Sequence, residues 1–431
     1  MITRRGFLGV SSAAFAAAAC EPSSSEAAGQ TADATLPPSL AALVSMKDQA
    51  APITLAERTA RVERARELMR ANGMAGLMLT GGTSLSYFTN VSWGLSERMF
   101  AVVIPVSGDA FVVCPAFEED RAREQLDLGP LAGSTAVLTW QEDESSYALV
   151  ARGLRDRGIA TGVLAVEETV RHVFSDGVAL AAPALSLVSG TTVTAGCRGV
   201  KSAHELALMR LASQVTLKAY EAAYRALDEG MTQSDFARLV STAHDRLGFP
   251  GGAGVQVGEY SALPHGSVTP QVIREGTILL IDGGCGVEGY RSDISRTFVL
   301  GAPTEKMKQV FAIELRAQTA ALRAARPSVE CQAVDAAARQ VIVDAGYGPG
   351  YTYFTHRVGH GMGMDGHEWP YLVKGNTLPL APGMTFSDEP GIYIRGEFGV
   401  RLEDDMVITE DGAELMTPQS PSLENPFGPM S

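Results

Sequence analysis

Asp282 closes a short β-type run, Ile278-Leu279-Leu280-Ile281, and Asp293 follows in Tyr290-Arg291-Ser292-Asp293 on what should be the returning arm of a hairpin. Strands placed side by side bring two such carboxylates within one ion's reach. Glu389, in Phe386-Ser387-Asp388-Glu389-Pro390-Gly391, and Glu403, in Gly399-Val400-Arg401-Leu402-Glu403-Asp404, repeat the arrangement fourteen residues apart. Four of the seven histidines, His265, His356, His360 and His367, fall in the same half of the chain, each with a glycine within three residues. Glycine lets backbone approach a ligand closely, so these stretches suit a site better than a core. A folded chain tolerates several clustered carboxylates only with compensating cations, and divalent metals are the natural ones. Four carboxylates and one imidazole could hold two ions about 3.5–4 Å apart, bridged by shared carboxylates with a water or hydroxide between them. Such ions lower a water pKa from about 15.7 towards about 7, which supplies a nucleophile at neutral pH.

These residues need strands and turns to hold them, and the pattern of the chain supplies both. Apolar positions recur at helical spacing from Leu55 to Ala71, and Asn72-Gly73 provides a stop. Short β-rich runs follow at 75–80, 99–105, 110–115 and 163–166, interleaved with helical stretches at 118–126 and 147–157, which predicts an α/β domain with a mixed sheet ending near Ala195. A long helical pattern then runs from Ala203 to about Glu229, and Thr232 with Asp235 forms a capping box for a helix to Leu247. Helical stretches at 305–326 and 333–345, among Gly-punctuated β segments that continue to about Thr409, make the second half α+β, with antiparallel strands and helices on one side.

Of 431 residues, 45% are hydrophobic and 19% charged, enough for a large core and against wholesale disorder. The net charge of −14 argues against a nucleic-acid partner. Five cysteines are too few and too scattered for a disulfide scaffold or a CxxC motif, and Cys285 reads as a packed turn residue. His172, His204 and His244 stand apart from the motifs and read as surface or core residues.

The chain opens on a basic start and a short apolar run, the parts of an export signal, too short to span a bilayer. Thr3-Arg4-Arg5-Gly6-Phe7-Leu8 resembles the twin-arginine signal, which implies residues 1–19 as signal peptide and a periplasmic product. Ala17-Ala18-Ala19-Cys20 resembles a lipobox, with Ala17 where Leu is usual, which implies a lipid anchor at Cys20. Residues 20–47, rich in Ser, Ala, Pro and Thr as far as about Pro38, are expected to be a flexible tether.

Ile281-Asp282-Gly283-Gly284 with Tyr290 to Thr297, His356 to Gly361 through Asp365-Gly366-His367-Glu368, and the two Glu motifs together resemble the pita-bread metallopeptidases, over roughly residues 48–425. That superfamily includes methionine aminopeptidase, aminopeptidase P, prolidase and creatinase. The resemblance implies an N-terminal creatinase-like α/β domain at 48–195 and an α+β pita-bread catalytic domain at 196–425. It implies that Asp282 chelates one metal, His360 and Glu389 bind the other, and Asp293 and Glu403 bridge. His265 matches the histidine that steadies the tetrahedral intermediate or leaving group, His367 the one at the scissile carbonyl, and Glu389 a proton shuttle. His356 and Arg401 match outer residues that orient ligands or substrate.

The separate N-terminal domain and His356-Arg357 ahead of Gly359-His360-Gly361 resemble the Xaa-Pro peptidase branch. The implied reaction is hydrolysis of the bond before a proline at the second position of a dipeptide or peptide. The oxygen-rich donor set favours two Mn²⁺ ions, with Zn²⁺, Co²⁺ and Fe²⁺ as alternatives. Relatives of this kind imply a homodimer, with Trp93 and Arg98 as candidates for its border. A metal-dependent non-peptide hydrolase or lyase, and a non-catalytic peptide-binding protein of the same fold, are the rival readings.

Overall fold

The computed structural model describes residues 36–133 and 135–428, so the expectations for the twin-arginine motif, the cleavage site and Cys20 lie outside the described residues. Strands β1 (Gly76–Leu79), β2 (Ala101–Pro105), β3 (Phe111–Pro115), β4 (Ala136–Trp140), β5 (Gly162–Val166) and β6 (Leu185–Ser189) form one mixed sheet in the order β4-β3-β2-β1-β5-β6. Alternate residues of its central strands feed two cores: Leu77, Leu79, Val102 and Ile104 face one, Met78, Ala101 and Val103 the other. Both faces are covered by helices, which is why these strands read as unbroken apolar runs. The helix Leu55–Ala71 opens this domain on a capping box between Thr54 and Glu57.

The second half holds two antiparallel sheets, each backed by a helix pair. In the first, β7 (Gly251–Val257), β8 (Ile278–Val287), β9 (Tyr290–Arg291) and β10 (Ile294–Val299) lie against the helices Ala203–Tyr224 and Gln233–Leu247, the latter opened by the Thr232–Asp235 capping box. In the second, β11 (Gly359–Gly361), β12 (Glu368–Leu372), β13 (Thr385–Asp388), β16 (Asp404–Ile408) and β17 (Ala413–Leu415) are ordered β12-β11-β13-β16-β17. The hairpin β14 (Gly391–Ile394) with β15 (Phe398–Arg401) completes it, and the helices Glu305–Ala324 and Cys331–Asp344 pack together behind. Arg296 ties the two sheets. Wholly buried, it donates to Asp404 Oδ1 at 2.7 Å and to the carbonyls of Glu403 at 2.8 Å and Pro418 at 2.9 Å.

Four expectations change. The β run at 278–281 does not stop at Asp282 but continues to Val287, because β10 pairs with it as far as Gly283, β7 as far as Cys285 and β9 takes up Gly286 and Val287, and its glycines let them close in. Asp282 is therefore a mid-strand residue, and Cys285 is packed in a strand, not a turn. The helix from Ala203 ends at Tyr224, short of Glu229. Residues 38–47 are docked, in contrast to the tether expected there: Leu40 and Met46 are buried in the core beneath the helix Ala203–Tyr224, and Ser39 Oγ donates to the Ala222 carbonyl at 2.8 Å. Leu40 and Met46, with half-buried Leu43 packed against the same core, hold this stretch, which the composition of the whole segment hid.

The two domains meet across buried ion pairs. Arg61 of the N-terminal domain donates to Glu205 Oε1 at 3.0 Å and Tyr290 Oη at 2.7 Å, while its guanidinium lies 4.1 Å from the centre of the Tyr87 ring. Removing one partner of a buried pair strands the other charge. Arg61→Ala should lower the free energy of unfolding by about 3 kcal/mol, measured by urea denaturation; a loss below about 0.5 kcal/mol, ordinary for surface changes, would show that Glu205 finds another partner.

Candidate metal centre

Strand register sets the carboxylates. In the β8–β10 pairing Asp282 lies opposite Ser295, and the chain entering β10 carries Asp293 past Gly284. A Cβ on Gly284 would fall 2.0 Å from the Ser292 carbonyl oxygen, so only glycine allows the two strands this approach. Asp282 and Asp293 thus point from one face. In the β13–β16 pairing Asp388 lies opposite Asp404, and Glu389 and Glu403 follow at the adjoining ends of the two strands. Gly359 plays the part of Gly284 for the histidine strand: a Cβ there would meet the Ser387 carbonyl at 2.0 Å.

All nine residues singled out from the sequence line one cavity of about 340 Å³. Donor atoms of Asp282, Asp293 and Glu403 lie within 4.8 Å of one another, and so do those of His360, Glu389 and Glu403. Glu403 is common to both groups. His360 Nδ1 lies 3.1 Å from the Gly361 carbonyl, which turns Nε2 to the carboxylates, 3.2 Å from Glu389 Oε1 and 3.9 Å from Asp293 Oδ2. Oxygen-rich donors with one free imidazole nitrogen fit two divalent cations.

The electrostatics point the same way. Burial, then the charges of Asp282 and other carboxylates, push Asp293 well above the usual carboxylate range. Burial and the Asp293 charge do the same to Glu403. Burial also works against ionisation of Glu389, but the hydrogen bond to His360 and the Arg401 charge prevail and pull it down to about 2. Burial raises Asp405 to about 8, where it accepts from Ser213 Oγ at 2.9 Å and faces the Asp293 amide.

A second layer holds these groups in place. Arg401 Nη2 donates to Asp282 Oδ2 at 2.6 Å, Nε to Ser295 Oγ at 3.0 Å, and Nη1 to the Pro264 carbonyl at 3.1 Å and to Tyr393 Oη at 3.0 Å. The Pro264 contact anchors the loop that carries exposed His265 to the cavity. His356 Nδ1 donates to the Arg357 carbonyl at 2.8 Å, so its Nε2 accepts from the Tyr393 hydroxyl at 2.7 Å. Burial lowers the His356 pKa, in keeping with a neutral ring. His367 stacks on His360 with ring centres 3.6 Å apart, and its Nδ1 lies 3.2 Å from Arg357 Nη2. A guanidinium can only donate, so His367 Nδ1 accepts and Nε2 carries the proton.

Tyr393 and Ser295 were not picked out from the sequence. Tyr393 joins Arg401 to His356 only because the β14–β15 hairpin places it diagonally across from Arg401, a relation no spacing rule announces. Ser295 lies 3.0 Å from Asp282 Oδ1 and 2.6 Å from Glu403 Oε2, and its position directly opposite Asp282 in a predicted hairpin was the available signal. Trp93, a candidate for a subunit border, stacks on Phe100 of its own domain at 4.0 Å, and Arg98 pairs with Glu97 and Glu142.

Comparison with known proteins identifies the family. Residues 207–410 match the model of metallopeptidase family M24, and residues 61–200 match the creatinase/prolidase N-terminal domain. The chain is 36% identical to a probable dipeptidase PepE of Mycobacterium tuberculosis, over 79% of this chain and 89% of that protein. It is 32% identical to an Xaa-Pro dipeptidase of Lactobacillus delbrueckii subsp. lactis, over 84% of this chain and 98% of the relative. The crystal structure of dipeptidase PepE from Mycobacterium ulcerans superposes with a TM-score of 0.81 at 33% identity, covering 87% of this chain and 99% of that one. The chain therefore belongs to metallopeptidase family M24, and carries a creatinase/prolidase N-terminal domain ahead of its catalytic one.

Proposed function

We propose that the chain is a metal-dependent exopeptidase that hydrolyses the Xaa-Pro bond of dipeptides or peptide N-termini. The observation that carries this reading is the single cavity in which two donor groups share Glu403 while protonated and proton-accepting side chains face them. In this reading Asp282, Asp293, His360, Glu389 and Glu403 would together hold the two ions. The ions, Mn²⁺ by preference, would polarise the scissile carbonyl and acidify the attacking water. His367 Nε2–H is free to donate to the carbonyl oxygen, because Arg357 occupies the other ring nitrogen. Glu389 is ionised at neutral pH and so can take a proton from the water and return it to the proline nitrogen as the C–N bond breaks. His265 faces the departing group, and the chain Asp282–Arg401–Tyr393–His356 keeps the carboxylates and histidines in register.

Export by the twin-arginine route to the periplasm, a lipid anchor at Cys20, and a homodimer bordered by Trp93 and Arg98 belong to the same reading, supported by the motifs in the first twenty residues and by the family. Among the described residues no helix is long and apolar enough to cross a membrane.

Hydrolysis of Xaa-Pro dipeptides by the metal-loaded protein should fall at least about 100-fold in Asp282→Asn, with less metal retained; unchanged activity would overturn the two-ion reading. Release of an unsaturated product in place of proline would favour a lyase.

The acid cluster also predicts a pH signature. With the metal removed, Asp293, Glu403 and Asp405 titrate above their unfolded values, so the folded chain holds more protons than the unfolded one. Their contribution to stability is complete below about pH 4 and drains away as pH rises, for Asp405 through about 8. Glu389 has the opposite sign: its contribution is present above 4.5 and lost as pH falls towards about 2. The melting temperature of chelated protein should therefore drop between about pH 5 and about pH 8, while saturating Mn²⁺ flattens the profile. Parallel profiles with and without metal would refute this.

Changing Arg4 and Arg5 together to Lys should abolish export, measured by fractionation; secretion of equal activity would exclude the twin-arginine route.

A further inference from the structure

All but three of the residues lining the active-site cavity are charged or carry an imidazole; the exceptions are Pro264, Tyr351 and Val373. Tyr351 is 48% exposed, a large aromatic surface left open at the cavity wall. It is nonetheless firmly backed, because the Arg339 guanidinium lies 4.3 Å from its ring centre. Arg339 in turn is fully committed. Its Nε and Nη2 form a fork on the Asp335 carboxylate at 2.9 Å each, Nη1 donates to the carbonyls of Gly350 at 3.1 Å and Phe354 at 2.8 Å, and Nη2 donates to the His356 carbonyl at 2.7 Å. Asp335 Oδ1 also accepts from the Val358 amide at 2.9 Å. The segment between the helix Cys331–Asp344 and β11 is thus wrapped around one cation, and it delivers Tyr351 and His356 to the same cavity.

A proline beyond the scissile bond offers an apolar ring and no N–H, so its recognition must rest on shape and apolar contact. A ring already held on one face loses little freedom when the other is covered. We propose that Tyr351 is the specificity-determining contact for the pyrrolidine ring of the substrate, that Val373 extends the same wall, and that Arg339 is the positioning residue for both Tyr351 and His356. This assignment rests on the Xaa-Pro reading and names the wall that would enforce it.

The test uses the full metal-loaded chain with Tyr351→Ala, Tyr351→Phe and Arg339→Lys. Hydrolysis or competitive binding of Leu-Pro and Leu-Ala is compared, and calorimetry measures binding of free L-proline. Tyr351→Ala should lower kcat/KM for Leu-Pro about tenfold, mainly through KM, weaken L-proline binding by a similar factor and leave Leu-Ala nearly unchanged. Tyr351→Phe should keep both values within about twofold, since the ring is what matters. Arg339→Lys, which keeps the charge and loses the fork, should lower kcat as well as raise KM, because His356 shifts with Tyr351. Equal loss on Leu-Pro and Leu-Ala, or a change confined to preference for the N-terminal residue, would overturn the assignment. Absence of Xaa-Pro hydrolysis in the unaltered protein, with L-proline still bound through Tyr351, would refute the reaction while supporting this contact.

Discussion

Concentrated negative charge in a place with little water is the constraint on which the catalytic half is built. Asp282, Asp293, Glu389 and Glu403 converge on one cavity, and Asp388, Asp404 and Asp405 are buried directly behind them. Two arginines answer this charge from within the protein: Arg401 on the cavity side through Asp282, and Arg296 on the inner side through Asp404. Two cations cannot balance so many carboxylates, and the remainder shows in the raised pKa values of Asp293, Glu403 and Asp405. Divalent ions are the economical remedy, since each supplies two charges at the point where the repulsion is greatest.

The cost of that cluster explains its scaffolding. Free loops could not hold like charges so close, whereas antiparallel pairing fixes Asp282 within a strand and Asp293, Glu389 and Glu403 at strand ends one residue from the ladder. β8 and β10 set the aspartates, β13 and β16 set the glutamates, and the Glu403 amide donates to the Ser295 carbonyl at 3.2 Å, joining one sheet to the other at the site itself. Arg296 repeats the connection one residue further in. Each sheet has its own helix pair, and apolar cores shared between the sheets, with Ile278 and Val299 beside Phe386 and Met406, back them where they meet at the carboxylates.

Much of this was legible in the sequence because it depends on short-range chemistry. The Thr232–Asp235 box, the helix at 55–71 and the convergence of the nine site residues all follow from local patterns or from motifs with fixed spacing. What escaped depends on distant chain. Asp282 read as a strand end because Gly283-Gly284 resembles a stop, yet two partner strands carry β8 through it. Strands β4 and β6 were missed because they lie at the sheet edges and are only partly buried, with weak apolar alternation. Leu40 and Met46 were absorbed into a polar segment, though the core under the helix Ala203–Tyr224 had room for both. Tyr393 and Arg339 act through geometry that exists only after a hairpin or a loop has closed.

The N-terminal domain, whose family match runs to residue 200 rather than 195, also reaches the chemistry through charge. Arg198 at the end of the helix Thr191–Arg198 donates to Asp365 Oδ2 at 2.6 Å and to Glu368 Oε1 at 2.5 Å, and Thr83 donates to the other oxygen of Asp365. Asp365 and Glu368 flank His367 in the chain. Buried Lys201 adds a second cation to Glu368 at 3.3 Å. His367 is itself exposed, but the residues on either side are pinned by the seam, and its ring is held between the His360 stack and the Arg357 donor. An exposed histidine with a fixed backbone and a fixed tautomer can meet a substrate oxygen without first paying to become ordered. That is the physical reason for a domain that contributes none of the four carboxylates to stay clamped beside them.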